Sequence, residues 1–224
     1  MNNLKQKGFT LVEIAIVLVI VGLLIGGVLK GQEMITNAKL KRIESDNAGL
    51  AAAMFSYQDR YLQLPGDDSG AAARFDVYIG GAAADINGDG LGTVDGAWDA
   101  SNGPAINATS VETETFFGHL RAAGLIPGGA GTVTTRPSNA YGGLMGIQDG
   151  SLKMSGHATI FGQIEGSIAR IVEARLDDGD AATGRVQANL VAGSMLPLGA
   201  AAHPLVGANP KYVESSRYNL AFRL

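Results

Sequence analysis

The chain contains no cysteine, and its positive charges are scattered. Without cysteine no disulfide can hold the loops, so an exported domain needs a larger core or a metal ion instead. The 17 Lys and Arg residues against 21 Asp and Glu give a formal net charge of −4. An acidic chain without a run of basic residues has no electrostatic reason to bind nucleic acid. We therefore expect no nucleic-acid partner.

The patterns that mark common enzyme classes are also missing. The three histidines, His119, His157 and His203, have no companion at metal-ligand spacing. There is no nucleophile elbow, and no glycine-rich stretch is followed by the Lys-Ser/Thr pair of a phosphate-binding loop. We expect a protein that is not an enzyme.

What the chain does have is a long apolar run near its start. Phe9 to Leu29 is 21 residues with a single charge, Glu13. As a helix it would be ~31 Å long, close to the hydrocarbon thickness of a bilayer. A secretory signal peptide would have a shorter apolar core with a small-residue cleavage site after it. The run therefore predicts a membrane-length helix.

Glu13 is not explained by a simple membrane anchor. An ionised carboxylate costs roughly 2.5–3.5 kcal/mol at the membrane centre and less near an end. No Lys or Arg lies between Phe9 and Leu29 to neutralise it. A plain single-span anchor, the alternative interpretation, accounts for the hydrophobicity but not for the acid. The acid predicts a partner from outside the segment.

Residues Lys7 to Glu13, Lys-Gly-Phe-Thr-Leu-Val-Glu, together with the apolar run, resemble the N-terminus of type IV prepilins and type II secretion pseudopilins. The resemblance implies that prepilin peptidase removes a cytoplasmic leader, residues 1–8, by cutting between Gly8 and Phe9. It implies N-methylation of the new terminal Phe9. It also implies that Glu13 pairs with the N-terminus of a neighbouring subunit during assembly.

The resemblance implies a structural subunit of a type IV pilus-like filament, a helical homopolymer joined through the N-terminal helix. Its precursor would be a single-pass inner-membrane protein, and an inner-membrane assembly platform would build it into a surface filament. Two alternatives are a pseudopilin of a periplasm-spanning pseudopilus and a membrane-anchored minor or tip subunit that binds a ligand. Many type IV pilins close a C-terminal loop with a disulfide, so this chain would belong to a cysteine-free subset.

Two Gly-x-x-x-Gly pairs lie in the predicted membrane helix, Gly22 with Gly26 and Gly27 with Gly31. Such pairs let helix backbones approach closely, and each glycine lowers helix propensity by ~1 kcal/mol relative to alanine. We predict that they pack helices together. Many type IV pilins unwind in this stretch near a proline. This chain has Lys30 at the place where such a proline would stand, so the sequence does not decide whether the helix unwinds.

The helix is expected to continue past the membrane. No proline lies between Lys30 and Leu64, and Pro65-Gly66 ends the helical pattern. Apolar residues recur at spacings of 3, 4 and 7 and mark one face of the helix: Leu40, Ile43, Leu50, Met54, Tyr57 and Tyr61. We predict a membrane half at 9–29, an extracytoplasmic half at 30–62, and a globular domain at 63–224 with a long irregular loop at 65–110. The expected fold is α+β, a ladle-shaped pilin fold with one long helix packed on an antiparallel sheet.

Shorter elements are predicted within the globular domain. Helices are expected at 110–124, with Ser110 as a possible N-cap, and at 167–176. Strands are expected at 158–164 and 185–191. The C-terminus alternates, with Tyr218, Leu220, Phe222 and Leu224 on one side and Arg217, Asn219 and Arg223 on the other. This alternation predicts a half-buried strand.

One loop resembles the first half of a calcium-binding loop. It contains Asp85-Ile-Asn87-Gly-Asp89-Gly90, with oxygen ligands at alternate positions and a glycine for the turn. The twelfth position is Gly96 instead of a bidentate Glu. The favoured interpretation is a weak Ca²⁺ site, with no cofactor strictly required, and the alternative is a turn cluster without an ion. The predicted ligands are Asp85, Asn87, Asp89, the carbonyl of Leu91, and Asp95. A second acidic cluster, Asp177, Asp178 and Asp180, is interpreted as a helix-ending turn.

Overall fold

A computed structural model describes residues 10–75, 87–98, 111–128, 135–152, 154–191 and 212–224. The chain forms two compact units, one up to Lys41 and one from Arg42 onward, which are described separately. The described residues contain one long helix, three shorter helices and a four-stranded antiparallel sheet, the α+β arrangement expected of a pilin fold. In chain order the elements are α1 (Leu11–Tyr61), α2 (Ala71–Arg74), α3 (Glu112–Ala122), β1 (Met145–Asp149), β2 (His157–Glu165), α4 (Gly166–Leu176), β3 (Val186–Leu190) and β4 (Arg217–Arg223).

Helix α1 is continuous over 51 residues. The stretch from Gly22 to Gly31 is helical throughout, so the single chain shows no unwinding there. The helix ends at Tyr61, and Leu62 follows with a positive φ of 56°. The predicted continuation of the helix beyond the apolar run is therefore confirmed.

In the second unit, the predicted apolar stripe of α1 is buried. Ile43, Leu50, Met54 and Tyr57 are all buried. The hydroxyl of Thr159 on β2 donates a hydrogen bond to the side-chain oxygen of Asn47 on the same helix. This stretch of α1 thus packs on the sheet, as its 3-, 4- and 7-residue spacings predict.

The sheet has the strand order β1-β2-β4-β3, and every neighbouring pair is antiparallel. Phe161 of β2 lies opposite Leu220 of β4, which lies opposite Ala188 of β3. A register shift interrupts the β2–β4 pairing between Phe161 and Ile164. The strands predicted at 158–164 and 185–191 and the helix at 167–176 are confirmed within one or two residues.

The C-terminal strand is more deeply buried than its alternation indicates. Asn219 and Ala221 are buried as fully as their neighbours Tyr218 and Leu220. The predicted exposure holds at the strand ends, Arg217 and Arg223, and is wrong for Asn219, because β4 lies in the middle of the sheet and both of its faces are covered there. One face packs into a cluster that comprises Trp98, Leu152, Met154, Ala158, Ile160 and Ala221.

Strand β1, Met-Gly-Ile-Gln-Asp, was not predicted, since it is only five residues long and contains a glycine, which weakens a strand pattern. Its Gly146 lies against the indole of Trp98, and a Cβ at this position would come within 2.6 Å of the ring. Trp98 itself is only 2% exposed. The glycine that makes the strand hard to predict is therefore the residue that allows the tryptophan to pack on the sheet.

Helix α3 begins at Glu112, two residues after the predicted N-cap Ser110, which lies outside the described residues. Val111 occupies the N-cap position and makes no side-chain cap. The first-turn acids Glu112 and Glu114 are buried, which is unusual for charged side chains. The predicted loop at 65–110 also holds the short helix α2, which the sequence did not indicate.

Candidate functional site

Thr10 and Glu13 cap the start of α1 reciprocally. The Glu13 N–H donates to the Thr10 hydroxyl oxygen at 3.2 Å, while the Thr10 N–H donates to Glu13 Oε2 at 2.8 Å. The Thr10 hydroxyl also donates to Glu13 Oε2 at 2.9 Å. This arrangement is a capping box, whose signature is Thr-x-x-Glu before an apolar run. The sequence carries this signature at Thr10-Leu-Val-Glu13, which sequence reasoning missed.

The described part of the apolar run, Leu11–Leu29, is bare in the single chain. None of its side chains is buried, and Leu11 is 91% exposed. The helix is long and apolar enough to cross a membrane. An apolar surface of this size marks contact with lipid or with another apolar surface. The predicted cleavage residues Gly8 and Phe9 lie outside the described residues.

The four glycines of this helix have no close neighbour outside the helix among the described residues. A Cβ added at Gly22, Gly26, Gly27 or Gly31 would find no heavy atom within 4 Å, apart from the helix's own nearby backbone. Packing inside the single chain therefore does not call for glycine at these positions. The predicted role in packing one helix against another stays a prediction.

In the second unit, the backbone of residues 89–95 turns around two acidic side chains. Asp67, which is buried, accepts three backbone N–H groups. Its Oδ1 accepts from Gly90 at 2.6 Å and from Leu91 at 3.1 Å, and its Oδ2 accepts from Gly92 at 2.7 Å. Hydrogen bonds of this kind stabilise the ionised carboxylate.

Glu112, at the start of α3, holds the same loop from its other side. Its Oε1 accepts the N–H of Asp89 at 2.9 Å, and its Oε2 accepts the N–H of Asp95 at 2.8 Å. Burial raises the pKa of Glu112, and the charges of Asp67 and Asp89 add to this rise, while the two N–H groups oppose it. Asp67 and Glu112 together thus determine the path of the loop.

The residues predicted to bind calcium are used differently within the single chain. The side-chain oxygen of Asn87 accepts the N–H of Ala72 at 2.8 Å, and Asp89 Oδ1 accepts the N–H of Leu91 at 3.0 Å. Asp95 bonds to α3 through its backbone, donating to Glu112 and accepting from Thr113. Asp85 lies outside the described residues. Calcium binding by this loop stays a prediction.

The carboxylates that the structure brings to Asp89 are those of Asp67 and Glu112. One oxygen from each of the three lies within 4.8 Å of the others. Sequence reasoning missed Asp67 and Glu112 as members of this loop site. They lie more than 20 positions from Asp89 on either side, and no local pattern links them to it.

The glycine of the Asn-Gly-Asp segment has a structural role in this loop. A Cβ at Gly88 would lie 2.2 Å from the Cα of Asp67. The Gly88 N–H donates to the carbonyl of Asp68 at 3.1 Å. Gly88 thus lets the loop backbone approach Asp67 and Asp68 closely. This role does not require an ion.

A second buried polar group, next to this loop, is also paired. Asp68 accepts hydrogen bonds from the Tyr57 hydroxyl at 2.6 Å, the Gly70 N–H at 2.9 Å and the Arg74 guanidinium. Burial, and next the Asp68 carboxylate, raise the pKa of Tyr57. His119 Nδ1 accepts the Gly66 N–H at 2.8 Å, and its ring stacks on Tyr57. His119 is therefore a buried residue that packs within the fold.

Comparison with known families concerns the N-terminal segment only. Residues 3–29 match the family model described as the prokaryotic N-terminal methylation motif. This is the signature of type IV prepilins and pseudopilins. The match spans the predicted cleavage position, Glu13 and the apolar run. No curated protein and no solved structure matches the chain.

Proposed function

We propose that this chain, which carries the type IV prepilin and pseudopilin signature, is a structural subunit that polymerises into a type IV pilus-like filament. The observation that supports this most strongly is the bare apolar surface of α1 from Leu11 to Leu29. In the precursor, lipid covers this surface. In the filament, the same surfaces of neighbouring subunits cover one another. The four glycines, which have no close neighbour outside the helix among the described residues, then let the helices approach closely.

Processing precedes assembly in this proposal. Prepilin peptidase cuts the Gly8–Phe9 bond on the cytoplasmic side, and Phe9 is N-methylated. The precursor is a single-pass inner-membrane protein until the assembly platform extracts it. Mass spectrometry of the mature N-terminus tests this step. A mature chain that begins at Met1, or one cut after Leu29, would contradict it.

Glu13 has two roles to separate, the helix cap and the pairing between subunits. In the proposed filament its carboxylate pairs with the amino group of a neighbour's Phe9. In the capping box it needs only an oxygen that accepts the Thr10 N–H. Glutamine serves a capping box as glutamate does, but it cannot form the ion pair. Glu13→Gln therefore keeps the cap and removes the pairing.

The experiment compares wild type with Glu13→Gln, Glu13→Val and Thr10→Val. Thr10→Val removes the hydroxyl of the cap and keeps the charge of Glu13. We expect both Glu13 variants to accumulate in the membrane at normal levels and to yield few sheared filaments, while Thr10→Val assembles. If Glu13→Gln assembles normally and Thr10→Val fails, Glu13 acts as a cap and the pairing proposal is wrong.

The pseudopilin and the minor or tip subunit carry the same N-terminal motif, so α1 does not separate them from a major pilin. The amount of the chain in purified surface filaments does. We expect this chain to be their main component. Filaments that persist after its gene is deleted, together with a loss of protein secretion, would support the pseudopilin instead. A chain present in trace amounts at filament ends would support the tip subunit.

A further inference from the structure

The turn after α4 collects three acidic residues, Asp177, Asp178 and Asp180. Asp177 Oδ2 accepts the backbone N–H groups of Arg185 and Val186, the latter at 2.7 Å. Asp178 Oδ1 accepts the Asp180 N–H at 2.9 Å, and its Oδ2 accepts the Thr183 hydroxyl at 2.6 Å. These bonds explain the path of the turn. They do not explain the acid that lies beside it.

That acid is Glu173, one turn earlier on α4, and it is wholly buried. Its Oε2 accepts the Tyr212 hydroxyl at 2.9 Å, but its Oε1 is shielded from solvent and has no hydrogen-bond partner among the described residues. One carboxylate oxygen each from Glu173, Asp177 and Asp178 lies within 4.8 Å of the others. A buried side chain with an unpartnered oxygen therefore adjoins two further carboxylates.

Such an arrangement needs neutralisation. Burial raises the pKa of the Glu173 carboxyl to about 8, and the charges of Asp177, Asp178 and Asp180 add to the rise, although the Tyr212 hydroxyl opposes it. A proton neutralises one of the three negative charges. A divalent cation neutralises two and also gives Glu173 Oε1 a partner. Asp177 and Asp178 are not buried, so an ion has access from solvent.

We propose that Glu173, Asp177 and Asp178 bind a divalent cation of the Ca²⁺ class. Ca²⁺ prefers carboxylate oxygens at about 2.4 Å, so two of its ligand oxygens lie at most about 4.8 Å apart. Each pair of oxygens in the cluster meets that limit. Water and backbone carbonyls complete the shell. The ion joins the end of α4 to the entry of β3 through Asp177 and to Tyr212 through Glu173. This proposal does not depend on the proposed function.

The test uses the full-length chain in detergent, stripped of metal with a chelator. Calcium uptake is measured by equilibrium dialysis on wild type, Glu173→Gln and a matched control, Glu214→Gln. Glu214 is an exposed acid that pairs with Arg170 and lies outside the cluster. Losing a charged ligand weakens a calcium site, so we expect Glu173→Gln to reduce affinity by about tenfold or more. We expect the control to bind as wild type does.

A spectroscopic readout locates the ion independently. Terbium replaces calcium at oxygen sites and emits when a nearby tyrosine is excited. The Tyr212 hydroxyl contacts Glu173, and its ring packs against Tyr218. We expect terbium emission from wild type, and its loss in both Glu173→Gln and Asp178→Asn. If Glu173→Gln fails to fold, Asp178→Asn still tests the proposal. Its amide oxygen can accept the Asp180 N–H, so we expect this variant to keep the turn.

The outcomes decide the proposal. Equal calcium affinity in Glu173→Gln and wild type overturns it. Calcium binding that is lost in Asp89→Asn and retained in Glu173→Gln also overturns it, and assigns the ion to the loop at 85–95. A wild-type chain that takes up no calcium at millimolar concentration leaves a proton shared among the carboxylates as the account of this cluster, and the proposal is then wrong.

Discussion

The second unit contains two groups of three carboxylates with similar spacing and different surroundings. In the loop group, Asp67 and Glu112 accept backbone N–H groups on both of their oxygens, five bonds in all. In the helix group, Glu173 is as deeply buried, yet one of its oxygens accepts nothing among the described residues. Oriented N–H groups stabilise a buried carboxylate much as water does. The first group is therefore the better satisfied of the two, although burial still raises the pKa of Glu112, and the second is the one with an unsatisfied carboxylate oxygen.

A sequence motif typical of a metal site and an environment that favours a metal ion are therefore separate properties. The Asn-Gly-Asp-Gly segment suggests calcium because its polar residues alternate. In the fold, much of that pattern serves to present N–H groups to Asp67 and to place Gly88 against its backbone. The helix group has no recognisable motif. Substitutions in the two groups should therefore change stability in opposite directions.

The largest effect is expected from Asp67→Ala. This change leaves the N–H groups of Gly90 and Gly92 without their acceptor, while the Leu91 N–H keeps its bond to Asp89 Oδ1. Bonds to a charged group contribute about 1.5–3 kcal/mol each, so we expect the free energy of unfolding to fall by about 3 kcal/mol or more. Urea melting of the full chain in detergent measures it. The exposed Asp59→Ala is the control, and a loss below that of the control would refute the importance of these bonds.

A smaller loss is expected from Glu112→Gln. One amide oxygen can still accept an N–H, but the amide NH₂ then faces the second donor, from Asp89 or Asp95. We expect a loss of about 2 kcal/mol, comparable to one bond to a charged group. The loss should be the same with calcium and with chelator. A variant as stable as wild type would show that the loop does not need the charge of Glu112.

The opposite sign is expected from Glu173→Gln when calcium is chelated. Burial raises the pKa of this carboxyl to about 8, so near neutral pH the folded chain holds a proton that the unfolded chain lacks, and taking up this proton opposes folding. Replacing the carboxyl should stabilise the chain by about 1–2 kcal/mol, which is less than the shift implies at about 1.4 kcal/mol per pKa unit, because the buried amide also lacks a partner. Thermal melting in chelator measures the shift. A destabilised Glu173→Gln variant would mean that the two acid groups respond alike.

Much of the fold was predictable because it depends on local periodicity. The spacing of Ile43, Leu50, Met54 and Tyr57 predicted the buried stripe of α1, and the helix at 167–176 followed from the same rule. Strand β1 was missed because it is short and contains Gly146, a residue type that is rare in strands. Packing against Trp98 requires glycine at this position. The predicted exposure of Asn219 was wrong, because it depends on the order of the strands, which is a property of the whole sheet.

The candidate sites divide in the same way. The Thr10–Glu13 cap is local, and the sequence contained its signature. The contacts of Asp67 and Glu112 with the loop join residues 17 to 25 positions apart. Glu173 has one oxygen without a partner, and its other oxygen accepts from Tyr212, 39 positions away. No spacing rule covers such distances, so only the folded chain identifies these groups.

The smallest effect is expected from calcium at the loop itself, and it tests the comparison most directly. The sequence predicts weak binding through Asp85, Asn87 and Asp89, of the order of 10⁻⁴–10⁻³ M as in extracellular modules. At ten times its dissociation constant an ion that binds only the folded state adds about 1.4 kcal/mol. Glu173→Gln removes calcium binding at the proposed helix site. Any rise in melting temperature that calcium still causes in this variant therefore comes from another site. We expect Asp89→Ala, added to Glu173→Gln, to remove what remains. A double variant that still responds would place the ion at neither group. A Glu173→Gln chain with no calcium shift would show that N–H groups alone satisfy the loop.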